Sequence, residues 1–597
     1  MDTFTQVYRQ KIGETDLELS RLKTLNVVLV VSKLVVVAVL LFVGYKWIST
    51  HQTLFMVAIL ACAAFFALLH KFDGRFLHRL KFLKQFNMVL HNEIGALKGD
   101  YSPFSCGTEY LSADHPYAVD LDLFARGGLF AALNRTVTVE GKHELAQWLQ
   151  KTDVAKQMVV ERQEAVACLK DQVDWRLKFV AIGLLGHLTM APLILHFRQT
   201  QKIGFRTWHK FMFLGLVGAA MAALIGNMIG LWGYFGWLLL FCINLFVIVF
   251  WLREINFVYR ALTGTSKVAG NYHDLLMHIH SNKANLNKRF VGSLVTNLVA
   301  EEHHALEAFD KLRKLLASFD RRGNVLVTVA LNGFLLNDIF LLMRYNKWMD
   351  IYASRIECYN NAIAQLDVLV SLGNFAYNHP DFSIPQVVPH TIMDAKALGH
   401  PLIMGHERVC NDFSIDRMNF FYITTGANMA GKSTFLRTVG VNMVLAACGA
   451  PVCAESFAFM PMAMFSSMRT VDNLEKHVSY FQAELLRLGA LVELAKTGQP
   501  VFVVLDEILK GTNSKDKLEG SRVFLLKMME YNVSGIIATH DLALGDLETE
   551  FPCNYQNICF EVHVKHDQLQ FDYKLQKGVA QNMNATWLLN RMLQDNA

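Results

Sequence analysis

The sequence predicts a mixed fold: an α/β domain at the C-terminal end, a long α-helical region before it, and two transmembrane helical hairpins. Four apolar runs occur as two pairs, within residues 25–69 and 211–252. Residues 257–374 follow a helical pattern with few breakers, and no proline lies between Pro192 and Pro380. After Pro380, short β-branched runs alternate with helical segments, which is typical of an α/β domain.

The composition supports the membrane part of this prediction. Hydrophobic residues make up 53% of the 597 residues and charged residues only 18%, whereas a soluble domain carries about 25% charged residues. Some apolar segments therefore face something other than water. The net charge of +5 is small for this length, so charge alone does not indicate a nucleic-acid-binding protein.

The ten cysteines are scattered along the chain without a C-x-x-C pair. Cys62 and Cys242 lie inside apolar runs. This pattern favours buried, reduced thiols and argues against a disulfide framework or a zinc site. We therefore expect the soluble part of the chain to lie in the cytosol.

The first predicted hairpin consists of the apolar runs 25–47 and 54–69, joined by a short polar turn. The second run is at the short end of what spans a bilayer. The first run begins too far from the N-terminus to look like a cleaved signal peptide. Its interior charge, Lys33, lies near one end, where a lysine can extend to the lipid headgroups.

The second predicted hairpin consists of the runs 211–231 and 237–252, with an aromatic turn that suits a membrane interface. Basic residues flank the open ends of both hairpins, which predicts a multi-pass protein of the inner (cytoplasmic) membrane with both termini in the cytoplasm. If a fifth apolar run, 179–197, also crossed the membrane, the C-terminal domain would lie on the opposite side of the membrane from the N-terminus. We therefore interpret this run as a buried helix of the soluble part. The alternative for each hairpin is a pair of very apolar core helices.

A phosphate-binding loop is predicted at the start of the α/β domain. A buried strand over residues 420–424 runs into a segment that matches G-x-x-x-x-G-K-[ST]. Glycines let backbone amides turn towards phosphate oxygens, and the following helix offers its positive N-terminus. Lys432 would reach the β- and γ-phosphates, and Ser433 would ligate Mg²⁺. The predicted nucleotide-binding residues are Gly426, Ala427, Asn428, Met429, Ala430, Gly431, Lys432, Ser433 and Thr434.

The second half of the predicted site is an acidic pair that follows a buried strand. Residues 501–505 are apolar, and Asp506 and Glu507 come at the end of this strand, where α/β sheets bind ligands. Asp506 would hold Mg²⁺ together with Ser433, and Glu507 would polarise the attacking water. His540 follows a third apolar strand and would contact the γ-phosphate or orient water. The alternatives are a buried structural Asp-Glu pair and a structural histidine.

These segments resemble the MutS family of DNA mismatch-repair ATPases. Residues 425–434, T-G-A-N-M-A-G-K-S-T, resemble that family's T-G-P-N-M-x-G-K-S-T loop, and residues 538–540 match its A-T-H switch. Residues 506–508, D-E-I, resemble its acidic strand end. Residues 479–484, S-Y-F-Q-A-E, resemble S-T-F-x-x-E, the signature that completes the neighbouring subunit's ATP site in trans. Residues 133–138 resemble the start of the family's helical core and lever.

The resemblance implies an ABC-like P-loop ATPase domain that uses ATP and Mg²⁺. It also implies a homodimer in which Ser479 contributes to the partner's site, and Lys432, Glu507 and His540 act in catalysis. The predicted divisions of the chain are a cytoplasmic tail 1–24, hairpin 25–70, helical core and lever 71–210, hairpin 211–252, helical lever and core 253–385, and the ATPase domain 386–597.

The sequence also departs from the family pattern. No Phe-x-Glu wedge is present, and a membrane hairpin stands in place of the mismatch-reading and connector domains. The glycine before the signature serine is replaced around His477 and Val478, Lys510 replaces an arginine, and the tail after Trp587 is short. Contact with duplex DNA would then depend on basic residues of the helical region. These are Lys283, Lys288, Arg289, Lys311, Arg313, Lys314, Arg321 and Arg322, which could equally form an ordinary solvated face.

Three functions are compatible with the sequence. The first is a membrane-anchored MutS-like ATPase that works as a dimeric conformational switch on DNA or another partner. The second is an ABC-type transporter ATPase, but residues 474–484 offer no L-S-G-G-Q segment. The third is a membrane scaffold with a degenerate ATPase and no role on DNA. The intact set of Lys432, Ser433, Asp506, Glu507 and His540 argues against this third function.

Overall fold

The computed structural model describes most of the chain. The described ranges are 2–50, 52–186, 188–199, 203–231, 233–262, 265–286, 289–299, 302–427, 429–469, 480–565 and 568–581. The predictions made for Asn428, for His477 to Ser479 and for the tail after Trp587 lie outside the described residues.

Most described residues before 380 form helices, as the sequence predicts, but residues 98–128 contain only one short 3-10 turn, Thr108–Tyr110. The α-helices of this part are α1 (Asp2–Thr50), α2 (Thr53–Leu97), α3 (Leu129–Leu133), α4 (Val139–Leu149), α5 (Lys156–Lys170), α6 (Val173–Gly183), α7 (Ala191–Gln199), α8 (Thr207–Met228), α9 (Tyr234–Leu262), α10 (Ser266–Ser281), α11 (Arg289–Val299), α12 (Ala305–Asp320), α13 (Val325–Leu335), α14 (Asn337–Tyr352) and α15 (Ile356–Asn378).

Strands and helices alternate after residue 380. They are β1 (Gln386–Val387), β2 (Met393–Leu398), β3 (Asn411–Ile415), β4 (Phe421–Gly426), α16 (Lys432–Cys448), β5 (Ser456–Phe459), β6 (Ala463–Ser467), α17 (Tyr480–Lys496), β7 (Val501–Asp506), α18 (Ser514–Met528), β8 (Val533–Ala538), α19 (Asp546–Glu550), β9 (Tyr555–Lys565) and β10 (Gln568–Lys577).

Four of the described helices are long and apolar enough to cross a membrane, judged by length and composition. They are α1 and α2, which form the first predicted hairpin, and α8 and α9, which form the second. Lys33 of α1 pairs with Asp73 of α2 at 2.5 Å, and both side chains are less than one-fifth exposed. The interior lysine is therefore neutralised by a carboxylate of the neighbouring helix, which lowers the cost of placing it near lipid.

The fifth apolar run, 179–197, does not form the single buried helix that the sequence predicts. It is divided between α6 and α7, neither of which is long enough to span a bilayer. The break occurs because Leu188 forms a bridge with Thr138 and accepts a hydrogen bond from the amide of Val139. The interpretation of this run as part of the buried interior fits the burial of Phe179 and Phe197.

Helix α1 continues without interruption through the region predicted as a separate N-terminal tail. Tyr8, which is fully buried, donates a hydrogen bond to Asn378 at the end of α15. Asn378 in turn donates to Glu93 of α2 at 2.7 Å. Glu93 forms a buried ion pair with Arg135, with a nitrogen–oxygen distance of 2.5 Å. Both hairpin helices are thus joined to the helical core through one buried polar network.

Helix α15 is the central helix of this core. Its Asp367 is fully buried and accepts hydrogen bonds from the amides of Val137 and Thr138 and from the Thr138 hydroxyl. Burial raises the pKa of Asp367 to about 7, and these hydrogen bonds oppose the shift. The segment that the resemblance assigns to the start of the helical core therefore docks on α15 through this carboxylate and through the Ser371 hydroxyl, which accepts from the Arg135 amide.

The C-terminal domain contains two sheets. Strands β1, β5, β2 and β3 form the smaller sheet. The larger sheet has the order β10-β9-β4-β8-β7-β6, and its neighbours from β9 to β6 are parallel. Parallel strands have their carboxyl ends at the same edge, so the ends of β4, β7 and β8 lie side by side. The candidate functional site lies at this shared carboxyl edge.

The buried pair Glu93–Arg135 gives a test of how the first hairpin is attached. Removing one partner of a buried ion pair leaves an uncompensated charge and costs about 3–5 kcal/mol. We expect Glu93→Ala to lower the thermal unfolding temperature of the detergent-solubilised protein strongly. The matched control is Glu18→Ala, which breaks the exposed pair between Glu18 and Arg79 and should cost under about 1 kcal/mol. Equal effects of the two substitutions would contradict this role of Glu93.

Candidate functional site

A cavity of about 510 Å³ lies at the carboxyl edge of the larger sheet. It is lined by residues from the predicted phosphate loop, the acidic strand end and the predicted histidine. Those predicted residues are Ala427, Met429, Gly431, Lys432, Ser433, Thr434, Asp506, Glu507 and His540. The predicted convergence of the loop with the acidic pair is therefore observed. The structure describes neither Asn428 nor Ser479.

The loop requires glycine at two positions. Gly426 ends β4 with φ +149°, and a Cβ there would lie 2.7 Å from the Phe560 carbonyl oxygen. Gly431 precedes α16 with φ +105°, and a Cβ there would lie 2.9 Å from the ring of Tyr573. Both positions combine a left-handed backbone with close packing, so the loop is held tightly against β9 and β10.

Lys432 and Ser433 begin α16, and both are fixed by hydrogen bonds. The Lys432 ammonium, 6% exposed, donates to the carbonyls of Gly426 at 2.7 Å and Ala427 at 2.9 Å. Burial lowers the pKa of Lys432, while the carboxylates of Asp506 and Glu507 raise it. The Ser433 hydroxyl donates to Asp506 at 2.7 Å, which ties the loop directly to the end of β7.

Glu507 has an unusual backbone and a cationic environment. Its φ of +54° lies in the left-handed region, and its amide donates to the Ala538 carbonyl at the end of β8. Such strain in a non-glycine residue is characteristic of functional sites. Its carboxylate lies 3.5 Å from Lys517, 3.6 Å from His540 and 3.8 Å from Lys510. The carboxylate is therefore held by three basic groups at the mouth of the cavity.

His540 follows β8 directly and faces the same cavity. Burial lowers the pKa of His540, the nearby charge of Lys432 lowers it further, and Glu507 opposes the shift. The imidazole is therefore uncharged at neutral pH, since its ordinary pKa is already near 6.5. A neutral imidazole can donate one hydrogen bond and accept another, which suits a group that orients water.

Sequence reasoning did not identify Lys517 or the structural role of Glu484. Asn513 caps the start of α18, and Lys517 lies one turn into this helix, so the cap was the signal that could have placed Lys517.

Glu484, 2% exposed, lies against the backbone amides of Leu509 to Gly511, and burial raises the pKa of its carboxyl group more than these amides lower it. The final residue of the S-x-F-x-x-E segment thus supports the chain's own loop after β7.

The donors near the loop fit a magnesium ion bound together with a nucleotide. Mg²⁺ is held by one or two protein oxygens together with phosphate oxygens and water. Ser433 and Asp506 supply such a pair, 2.7 Å apart. Among the residues that the structure describes, no group of three or more His, Cys, Asp or Glu side chains could hold a metal ion by itself. The site therefore fits a metal that arrives with phosphate oxygens.

A parallel sheet, a glycine-bounded loop before a helix and an acidic strand end together define a P-loop α/β domain. Comparison with known proteins assigns the type: residues 422–586 match the family model of MutS domain V. The C-terminal part of this chain is therefore similar to MutS domain V, and the similarity to MutS proteins is at low sequence identity.

Three relatives show the extent of this similarity. The chain is 27% identical over 249 residues to the DNA mismatch repair protein MutS of Staphylococcus saprophyticus, covering 40% of this chain and 27% of the relative. It is 26% identical over 239 residues to human MutS protein homolog 4, covering 38% and 24%. It is 25% identical over 338 residues to MutS of Ehrlichia ruminantium, covering 55% and 40%. The chain thus matches less than half the length of each of these relatives.

Gly426 provides a test of the loop geometry. Gly426→Ala forces a Cβ against the Phe560 carbonyl oxygen. Backbone strain of this kind costs about 1–3 kcal/mol, which corresponds to a roughly 5- to 150-fold loss of ATP affinity. Binding of a fluorescent ATP analogue measures this loss. The control is Gly405→Ala, because a Cβ at Gly405 meets nothing within 4 Å. Unchanged affinity of the Gly426 variant would contradict the assigned loop conformation.

Proposed function

We propose that this protein is a membrane-anchored, magnesium-dependent ATPase of the MutS type that works as a dimeric conformational switch and acts on DNA. The observation that carries the ATPase part is the convergence of Lys432, Ser433, Asp506, Glu507 and His540 on one cavity. Each part of a phosphoryl-transfer site has a candidate residue there.

Each side chain has a defined task in this proposal. Lys432 binds the β- and γ-phosphates, and Ser433 and Asp506 hold Mg²⁺, which neutralises charge on the transferred phosphoryl group. Glu507 orients the attacking water, assisted by neutral His540. Lys510 and Lys517 lie within 4 Å of the Glu507 carboxylate. Glu507 must be released from these cations to act on water, so closure of the site sets the rate of turnover.

Dimerisation completes the site in this proposal. The resemblance assigns Ser479 to the ATP site of the partner subunit, and α17 begins one residue later. Leu485 and Leu486 of α17 are 46% and 63% exposed. Exposed leucines next to the signature segment suit contact with a second copy of the chain.

Membrane anchoring is supported by the helices of the two hairpins. Their exposed residues are strongly apolar, including Leu41 at 72%, Leu54 at 71% and Phe211 at 69% exposed. Such a surface is compatible with lipid and incompatible with a soluble monomer. With four spans the ATPase domain would lie on the same side as the N-terminus, and the basic flanks support the cytoplasm as that side.

DNA is the partner indicated by the mismatch-repair relatives. Several basic side chains considered for phosphate contact are already paired: Lys311 with Glu307, and Arg313 and Lys314 with Asp310. Arg322 is only 12% exposed and pairs with Asp338, which removes it from any phosphate-binding face. Four of the eight candidate residues are thus already engaged in ion pairs within the described part of the chain, so we expect DNA affinity to be modest and sensitive to salt.

Glu507→Gln tests the assignment of the catalytic base. Loss of a general base lowers the rate by about 10²–10⁴-fold, whereas ATP binding should remain, because the amide does not touch Lys432 or the metal ligands. Steady-state phosphate release and ATP binding measured on the detergent-purified protein separate these effects. The control, Glu519→Gln, changes an exposed carboxylate of the same region and should leave turnover unchanged. Full turnover by the Glu507 variant would remove this residue from the mechanism.

The role of DNA has its own test. We expect duplex DNA to change the ATP turnover of the wild-type protein at low salt, and ATP to increase the retention of DNA. Both effects should weaken as salt is raised, because phosphate contacts release counterions. If DNA neither alters turnover nor is retained on ATP binding, the protein acts on another partner, although the ATPase assignment stands.

A further inference from the structure

Helix α13 is the most exposed apolar helix outside the two hairpins. Val325 is 71% exposed, Leu326 is 82% exposed, and Val329 is 41% exposed. The helix lies in the part of the chain that the sequence predicts as helical with few breakers, and it is too short to cross a membrane by itself. Its 11 residues extend about 16 Å, roughly half the thickness of the bilayer hydrocarbon.

The contacts of α13 place its far end deep along hairpin α8–α9. Phe334 packs on Phe241 and Trp237 of α9, with ring centroids 5.0 and 6.0 Å apart. A Cβ on Gly333 would lie 2.1 Å from the Phe241 ring, so the two helices are in direct contact there. These α9 residues belong to its apolar, N-terminal part, next to the turn of the hairpin.

The near end of α13 lies at the opposite end of α9. Arg322, just before α13, has its guanidinium 5.1 Å from the ring centre of Tyr259, and its Nε also lies 2.9 Å from the Asp338 carboxylate at the start of α14. Tyr259 is close to the end of α9 at Leu262. The chain therefore follows α9 in the reverse direction, from the level of Tyr259 towards that of Trp237. The chain thus enters the apolar region at the C-terminal end of α9, where α9 itself leaves that region.

Helix α14 brings the chain back to that same side. The chain bends by 83° between α13 and the helical segment that begins at Asn337, with Leu336 in a left-handed conformation at φ +48°. Asn346 of α14 then donates to the carbonyl of Ile203, just before α8 begins. The start of α8 is level with Trp251 of α9, because Phe205 stacks on Trp251 at 4.5 Å.

Several polar groups at the bend find partners within the protein, whereas Oδ1 of Asn244 and Oδ1 of Asp338 are buried without a hydrogen bond. Asn244 of α9, which is fully buried, donates to the Gly333 carbonyl near the end of α13. Asn332 accepts from the amide of Asp338 and donates to its carboxylate. A helix end in hydrocarbon is stable only when its free backbone groups find such partners. These contacts allow the bend to lie at membrane depth.

From these contacts we infer that α13 and α14 form a re-entrant pair that inserts beside hairpin α8–α9 and returns to the side it came from, with the exposed face of α13 against lipid acyl chains. The inference rests on the proposed membrane insertion of that hairpin. It adds a third apolar helix to the membrane unit without changing the side on which the ATPase domain lies.

Lipid-borne quenchers test the inference on the full chain. A fluorescent amino acid is placed at Leu326, at Phe246 of α9 or at Leu486 of α17, which are 82%, 63% and 63% exposed. Each variant is reconstituted in phosphatidylcholine nanodiscs with and without acyl-chain nitroxide lipids. Retained ATP binding shows that each variant is folded. We expect quenching at position 326 to be comparable to that at position 246 and several-fold stronger than at position 486.

The control positions separate the two ways of failing. In the first outcome, position 246 is quenched, but position 326 is quenched no more than position 486. This result would overturn the re-entrant pair and leave the anchored hairpin intact. In a second outcome, neither lipid-borne nor aqueous quenchers reach position 326. A protein surface would then cover α13, and this result also overturns the inference. Absence of quenching at position 246 would refute membrane insertion of α8–α9, and the inference would fall with it.

Discussion

The hydrogen bond between Ser433 and Asp506 connects the two halves of the proposed nucleotide site. It is possible only because β4, β8 and β7 are adjacent parallel strands. Their shared carboxyl edge brings together the glycine-bounded loop, the acidic pair and His540, which lie in a stretch of more than a hundred residues between 426 and 540. The strained backbone of Glu507 and the tight packing of the loop on β9 and β10 are local consequences of this arrangement. The chemistry proposed for the protein depends on this edge.

A continuous set of contacts joins this site to the first hairpin. Glu93 of α2 pairs with Arg135, which lies just before the segment that docks on Asp367 of α15. Helix α4 follows, and the carbonyl of its Trp148 accepts from Cys448 at the end of α16, the helix that begins with Lys432. Rigid helices joined by buried polar contacts are the kind of structure through which two sites can affect each other. A nucleotide-dependent movement of α16 could therefore be transmitted to hairpin α1–α2.

The sequence was sufficient where function depends on a local pattern. The phosphate loop and the acidic pair are both recognisable within short segments. The first is a strand followed by a glycine-bounded loop with Lys432, and the second is two carboxylates after an apolar strand. Neither pattern depends on distant residues. The four apolar helices were predictable for the same reason. The run 179–197 was misinterpreted as one helix because its break depends on a bridge between Leu188 and Thr138. The partner of Lys33 and the bend at Leu336 likewise arise from tertiary contacts, for which the sequence carries no local signal.

The most direct test of the central claim measures ATP affinity by calorimetry with and without Mg²⁺. The wild-type protein is compared with Asp506→Asn and with Asp412→Asn, a change in an exposed carboxylate that pairs with Lys396. If the loop and the acidic strand end share one magnesium-bound triphosphate, Mg²⁺ will strengthen ATP binding by the wild-type protein and by the Asp412 variant. The gain will be lost in the Asp506 variant. An Asp506 variant that keeps the full response to Mg²⁺ would contradict the account.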